Sequence, residues 1–265
     1  MDSTPTIIEA DGEYGPFHGA LQDQVVFGTY RREGRWSDEL LRLVTGLLRE
    51  GGTLIDGGAN IGLLSIPVAT RTGAQCIAVE PEPLNFELLV RNVEAHDLQQ
   101  RVTCLQVALY SHAGRFAMQR SGDNYGDHRV LPEAPQSGGE PWVRAERLDR
   151  LLEGKQLDHP LVLKLDTQGC EARALLGAGE LLERVDYAIC EYWPAGLLRQ
   201  GDRVEQLESL LHSFPYARVL SAGTDDSPLQ SVERALQDLS WIPRDGSDEG
   251  FFDLLLARRP ELVLR

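Results

Sequence analysis

Apolar and polar positions fall into three regimes along the chain. Residues 1–35 are weakly periodic and glycine-dotted, and Val25-Val26-Phe27 is the run suited to a short strand. From Trp36 to Arg49, apolar side chains recur at Leu40, Leu41, Val44, Leu47 and Leu48, which loads one face of a helix. Ser37 stands where an N-cap belongs and Gly51 where a helix stops. Beyond that point short apolar runs alternate with helical patterns, as in a parallel sheet covered on both faces. The predicted strands are Thr53–Asp56, Gln75–Val79, Val102–Val107, Leu161–Leu165, Tyr187–Cys190, Ala217–Leu220 and Phe252–Ala257. Helices are predicted from about Ile61 to Thr70, over Pro83–Ala95, from Glu171 through Leu176, and over Val204–His212 and Val232–Leu239; Pro83 suits a first helical turn. The third regime, residues 111–142, is rich in Gly, Pro, Asp and Ser and has little periodicity outside Arg115–Gln119. A long segment of this kind is usually functional or disordered, and its place between the third and fourth strands sets it over the carboxyl edge of the sheet. The expected organisation is a leader with its helix over residues 1–50, then an α/β domain over 51–265 carrying a lid at about 111–142.

Composition narrows the partners. At 265 residues, with 42% hydrophobic and 25% charged residues, the chain suits an ordinary globular domain. Its formal net charge of −15 repels phosphate backbones and anionic bilayers, so neither nucleic acid nor a membrane is expected as a partner. Met1-Asp2-Ser3-Thr4-Pro5 lacks the cationic-then-apolar pattern of a secretion signal, which points to the cytoplasm. Cys76, Cys104, Cys170 and Cys190 are scattered and read as small buried hydrophobes rather than metal ligands or disulfides.

The chemistry concentrates in Leu54-Ile55-Asp56-Gly57-Gly58-Ala59-Asn60-Ile61-Gly62 and the following Ala78-Val79-Glu80-Pro81. A strand, a glycine-rich turn, a helix and a second strand ending on a carboxylate bind nucleoside cofactors at the strands' carboxyl ends. Glu80 is placed to grip the two ribose hydroxyls. Gly57, Gly58 and Ala59 are expected to offer backbone contacts, with Asn60 and Gly62 completing the turn. A dinucleotide site wants Gly-x-Gly-x-x-Gly, but Ala59 occupies the position where backbone should meet pyrophosphate. The register Asp56-x-Gly58-x-Asn60-x-Gly62 suits S-adenosylmethionine, whose ammonium Asp56 would hold directly or through water. Pro81 would flank the adenine, with Gln106 and Ala108 as its polar and main-chain partners.

Together with Glu80-Pro81-Glu82-Pro83 and Leu163-Lys164-Leu165-Asp166-Thr167-Gln168-Gly169-Cys170-Glu171, this turn resembles the FkbM-type methyltransferases over about residues 36–195. Members carry Asp-Val-Gly-Ala-Asn-Ile-Gly, Glu-Pro-x-Pro and Lys-Ile-Asp-Val-Glu-Gly-x-Glu in the same order. The resemblance implies the class I methyltransferase (Rossmann-like) fold, a doubly wound seven-stranded sheet whose last strand is antiparallel. It also implies methylation of hydroxyls on sugars, polyketides and other secondary metabolites. Three departures stand out. Gln168 replaces the usual Glu and can hydrogen-bond but not serve as a base, Thr167 replaces Val, and Trp36-Ser37 stands where a Trp-Glu or Tyr-Glu pair is common. Asn124-Tyr125-Gly126 matches an Asn-x-Gly element and is assigned to the lid.

Methyl transfer is an in-line displacement that must align the acceptor and, for an alcohol, help remove its proton. Lys164 and Asp166 lie two apart in a strand and share a face. Either Lys164 forms an ion pair with Asp166 or Glu191 that shapes the sheet, or Asp166 acts as base or anchor with Lys164 tuning it. Glu191, Tyr192 and Trp193 close the fifth strand and suit a polar acceptor, although Trp193 could equally pack on a helix. His128 is a loop imidazole, either a base or a solvated residue. Glu171 is assigned to its helix's first turn. Asp166, Glu191 and Asp127 could gather around magnesium or calcium, but no spacing motif requires it and no metal is expected. The resulting expectation is an S-adenosylmethionine-dependent O-methyltransferase of a small metabolite, sugar or natural product. Its rivals are N-methylation on the same fold, a nicotinamide-dependent oxidoreductase, and a cofactor-binding protein without turnover. The leader's leucines and Trp36 offer a homodimer contact.

Overall fold

The computed structural model describes residues 5–132, 141–220, 227–247 and 250–261. It opens with a hairpin, β1 (Ile7–Gly12) and β2 (Gly15–Ala20), followed by α1 (Val26–Glu33) and α2 (Asp38–Leu47). The strand expected at Val25–Phe27 is therefore the start of a helix. Asp23 is the reason: its buried carboxylate accepts from the backbone N–H of Val25, Val26 and Phe27 and nucleates the turn. Ser37 does precede α2, but in a left-handed conformation (φ 47°) with no side-chain cap.

The alternating region follows as β3 (Thr53–Gly57), α3 (Ser65–Thr72), β4 (Gln75–Val79), α4 (Pro83–Ala95) and β5 (Val102–Leu105). Four short strands come next or lie in the stretch read as a loop: β6 (Ala108–Leu109), β7 (Gly114–Gln119), β8 (Arg129–Val130) and β9 (Trp142–Glu146). They form a separate sheet in the order β6-β9-β7-β8. Phe116, Met118, Val130 and Val143 fill its inner face, a period-two pattern too brief to stand out among the turn residues. Part of the expected lid, residues 133–140, lies outside the described residues. The chain ends with α5 (Leu148–Leu151), β10 (Leu161–Leu165), α6 (Glu171–Ala178), β11 (Tyr187–Tyr192), α7 (Pro194–Arg199), α8 (Val204–Leu211), β12 (Tyr216–Leu220), β13 (Gln230–Ser231), α9 (Val232–Asp238) and β14 (Phe252–Ala257).

The main sheet runs β13-β12-β14-β11-β10-β3-β4-β5, with β14 antiparallel to both neighbours. Setting aside the two-residue β13, this is the expected seven-stranded arrangement with an antiparallel last strand. β3, β10 and β11 are buried along their whole length, as near-continuous apolar runs at the centre of a parallel sheet must be. One apolar core, including Leu163, Leu175, Phe214 and Leu256, covers one face. A second, including Leu54, Leu89, Leu255 and the leader's Phe17, Phe27 and Tyr30, covers the other. The leader is thus a structural layer of the domain. Register sets the functional edge: Lys164 lies beside Asp56, Leu165 beside Gly57, and Glu191 beside Asp253. No helix among the described residues is long and apolar enough to cross a membrane.

Candidate active site

A cavity of about 580 Å³ opens at the carboxyl ends of β3, β4, β10 and β11. Its geometry starts with the turn after β3. Gly58 has φ +78°, and a Cβ there would sit 1.9 Å from the Asp166 carbonyl oxygen, so only glycine lets this turn pass the end of β10. The turn's amides are turned inward. Gly58 and Ala59 N–H both donate to the Val79 carbonyl at 3.0 Å, Asn60 N–H donates to Glu80 at 2.9 Å, and Gly62 N–H donates to Ala59. Ile61 N–H is taken by the Asn60 side chain at 2.8 Å. The amides of Gly58 and Ala59 are therefore engaged within the turn, although both residues line the cavity. Gly57 and Gly62 do not line the cavity; Gly62 packs against Ile66 and Leu89 instead.

Glu80 is the carboxylate this turn is built around. Its two oxygens accept from Asn60 N–H and Glu82 N–H, each at 2.9 Å. Burial nonetheless pushes its pKa up to about 8. Each oxygen keeps a lone pair for a further donor. Pro81, Val107, Ala108 and Met118 line the cavity beside it. Gln106 is exposed and outside the cavity, because the strand breaks there between β5 and β6, so it is not an adenine partner.

Asp56 lies at the end of β3, fully buried. Its Oδ2 accepts from the Ser65 hydroxyl at 2.6 Å and its Oδ1 faces Lys164 Nζ at 3.2 Å. Lys164 also lies 3.6 Å from Asp166 and donates to the Gly58 carbonyl at 3.0 Å. Burial alone would lower the Lys164 ammonium, but Asp56 and Asp166 outweigh it and hold its pKa above the ordinary value. The pairing of Lys164 with Glu191 is not found, and its main partner is Asp56. Asp56, which lines the cavity, thus already has a cation of the protein's own beside it.

Asp166 presents a half-open carboxylate to the cavity. Gln168, itself left-handed at φ +56°, donates Nε2 to Asp166 Oδ1 at 2.6 Å. Glu171 closes the same turn from below, fully buried and accepting from Thr167 N–H at 2.7 Å and its hydroxyl at 2.9 Å. It braces the turn between strand and helix, and burial raises its pKa to about 7. Glu191 lines the cavity next to Asp253, and burial followed by the charge of Asp166 holds Glu191 well above the ordinary carboxylate range. Tyr192 is not at the site: its ring is in the core and its hydroxyl donates to Glu208 at 2.9 Å. Trp193 lines the cavity, but the guanidinium groups of Arg129 and Arg199 lie over its ring at 4.9 and 5.1 Å, so the ring is not bare for stacking. Among the described residues no three His, Cys, Asp or Glu side chains gather to hold a metal ion.

The loop around Asp123–Tyr125 is bolted to this turn. The Tyr125 carbonyl accepts from Asn60 Nδ2 at 2.9 Å and Asn85 Nδ2 at 2.8 Å. Its other edge meets the leader, where Gln24 N–H donates to the Asp123 carbonyl at 2.7 Å. Asn124, Tyr125 and His128 all reach the cavity, as does Trp36 from the leader. His128 is not a base here: its Nδ1 accepts from Ser121 N–H at 3.0 Å, which leaves the neutral ring's proton on Nε2. Burial keeps its pKa below the ordinary imidazole value. Asp253, Phe251, Asn85, Arg129 and Val25 line the cavity without having been read from sequence. Asp253 carried a usable signal, being the sole acid in the apolar run Phe252–Ala257.

The sequence profile of the Methyltransferase FkbM domain matches residues 56–216. The hexuronic acid methyltransferase AglP of Haloferax volcanii is 29% identical, across 60% of this chain and 64% of that protein. Methyltransferase sdnD of Sordaria araneosa is 29% identical, across 56% of this chain and 69% of its own length. The chain thus spans just under two thirds of the first of these relatives. The crystal structure of a methyltransferase FkbM from Methylobacillus flagellatus overlays with a TM-score of 0.49 at 16% identity, covering 80% of this chain and 45% of that one. With more than half of its length matched, from the Asp56 turn to the start of β12, the chain belongs to the FkbM methyltransferase family.

Proposed function

We propose that this chain is an S-adenosylmethionine-dependent methyltransferase that acts on a hydroxyl of a small metabolite, sugar or natural product. The observation that carries this reading is the state of the first turn. Every amide from Gly58 to Gly62 already has a partner inside the protein. A dinucleotide pyrophosphate needs free amides at that place, so the nicotinamide reading loses its support. A nucleoside without phosphates needs only the ribose carboxylate and an apolar slot for its base. Glu80 and the wall of Pro81, Val107, Ala108 and Met118 fit that need.

When bound, S-adenosylmethionine supplies an electrophilic methyl on a sulfonium. The chain's own residues do the rest. Glu80 holds the ribose, and the Val79 carbonyl, gripped by Gly58 and Ala59, fixes the turn against which the nucleoside lies. Asp166 marks the boundary with the acceptor: its carboxylate faces the cavity and is steadied by Gln168 and Lys164. With one hydrogen-bond donor, one ion-pair partner and a half-open carboxylate, it can orient an acceptor hydroxyl and receive its proton. The lid and Trp36 close the remaining side and limit water at the reacting atoms.

Transfer of labelled methyl from S-adenosylmethionine to a panel of neutral glycosides, polyketides and amines tests the reading. Turnover of hydroxyl acceptors, cut at least about a hundredfold in Asp166→Asn, is expected. Amine methylation that survives Asp166→Asn would favour the nitrogen reading, because an amine needs little help from a base.

A further inference from the structure

β11 and β14 place Glu191 and Asp253 directly opposite one another at the cavity wall. Facing like charges weaken an antiparallel pair, and a buried carboxylate without a partner is costlier still. Both conditions hold here. Glu191 is 6% exposed and its Oε2 has no hydrogen-bond partner among the described residues. No described residue donates a hydrogen bond to the Asp253 carboxylate. The nearest cation, Lys164, lies within ion-pair distance of Asp56 and Asp166 and not of these two. Burial followed by the charge of Asp166 raises both groups, Asp253 to about 6. A second buried orphan belongs to a residue lining the same cavity, the Trp193 indole Nε1–H, a donor with no acceptor among the described residues. Buried unsatisfied groups are rare in folded proteins and call for an explanation.

Resting on the methyltransferase reading, we propose that the acceptor carries a protonated amine, which docks between the carboxyl groups of Glu191 and Asp253. The charge around the cavity favours this occupant. Asp56, Glu80, Asp127, Asp166, Glu191 and Asp253 line it against Lys164 and Arg129, and Arg129 is already clamped by Asp127. A neutral hydroxyl between the two carboxyls would leave their ionisation suppressed by burial. An ammonium lifts that suppression and donates to both, with charge-assisted bonds about twice as strong as neutral ones. A divalent ion would draw oxygen ligands from several sides, and the described residues do not gather three such side chains at one point. The Trp193 N–H then meets an oxygen of the same acceptor, which makes an amino alcohol or amino sugar the fitting class.

The test uses the full chain saturated with S-adenosylhomocysteine, and ligand-observed NMR with D-glucosamine and N-acetyl-D-glucosamine as probes. They share a ring and differ in the cation. Glucosamine is expected to bind about tenfold tighter or more. Glu191→Gln and Asp253→Asn should each shrink that ratio to near unity, while the affinity for S-adenosylhomocysteine reports that the variants are folded. Equal binding of the two sugars, absence of glucosamine binding, or a preference that survives both substitutions overturns the proposal. Displacement of glucosamine by magnesium chloride, lost in Asp253→Asn, would overturn it in favour of a metal. Failure of S-adenosylhomocysteine itself to bind would strike the underlying methyltransferase reading and this proposal together; intact cofactor-product binding with no amine preference strikes this proposal alone.

Discussion

Replacing Lys164 with methionine removes the buried cation between Asp56 and Asp166 at the sheet's functional edge. Asp56 is fully buried and keeps only the Ser65 hydroxyl when the ammonium 3.2 Å away is gone. At that distance the Coulomb attraction is about 5 kcal/mol at an effective dielectric of about 20. Desolvation of both ions offsets much of it, but only while both are present. Breaking a buried pair by removing one member costs about 3–5 kcal/mol, because the other charge is stranded. The Asp166 contact adds little to this figure, since that carboxylate is 43% exposed and screened by water. Lys164→Met should therefore lose about 3–5 kcal/mol in urea unfolding followed by circular dichroism, read as a lower midpoint at unchanged slope. Adding Asp56→Asn should restore most of that loss, because no buried charge is then unpaired. A single variant that loses under about 1 kcal/mol, or a double variant whose losses simply add, would refute the assignment of Asp56 and Lys164 as a mutually neutralising pair.

Other outcomes follow from the same geometry. Glu80 has a folded pKa of about 8, above the value of about 4.5 expected when unfolded, so the folded chain keeps a proton there that the unfolded chain has released. Its contribution to stability falls as pH rises through that window, whereas ribose binding to the carboxylate should tighten about tenfold per unit up to pH 8; titration calorimetry with S-adenosylhomocysteine reads this, and Glu80→Gln should flatten it. Gln168→Glu, which supplies the family's usual residue, exchanges a donor for a second negative charge beside Asp166, so the acid limb of the kcat profile should move up by about one pH unit. Asn85→Ala should cost only about 0.5–1.5 kcal/mol, since Asn60 still serves the Tyr125 carbonyl, whereas Asn60→Ala should cost more, since it also strips the Ile61 N–H of its partner and leaves alanine at φ 50°. The double variant should sharply speed hydrogen exchange across Ser121–Val130 and raise the acceptor KM.

The sheet was legible because its code is local. Apolar runs near Thr53, Gln75, Leu161 and Phe252 are bounded by turn residues, and the structure places strands there with end-points shifted by at most a residue. Glu80 was legible for the same reason, as an acid that ends a strand after a glycine turn. What failed depended on neighbours far along the chain. Asp23 converts Val25–Phe27 from strand to helix by capping three amides. The partner of Asp56 was hidden until the register of β10 brought Lys164 beside it. His128 looked like a base until Ser121, seven residues away, took its lone pair. Tyr192 followed the alternation of its strand into the core while its neighbours Glu191 and Trp193 reached the cavity. Asp253 joins the site only because the last strand returns antiparallel beside β11, a pairing no motif announces.

Titration calorimetry with S-adenosylhomocysteine and, separately, with NAD bears most directly on what the Asp56–Gly62 turn is for. Micromolar binding of the sulfur nucleoside, weakened at least about tenfold in Glu80→Gln, and no measurable heat from NAD is the outcome the geometry requires. Tighter binding of NAD, or a Glu80→Gln variant that binds the nucleoside as well as the parent, would contradict it.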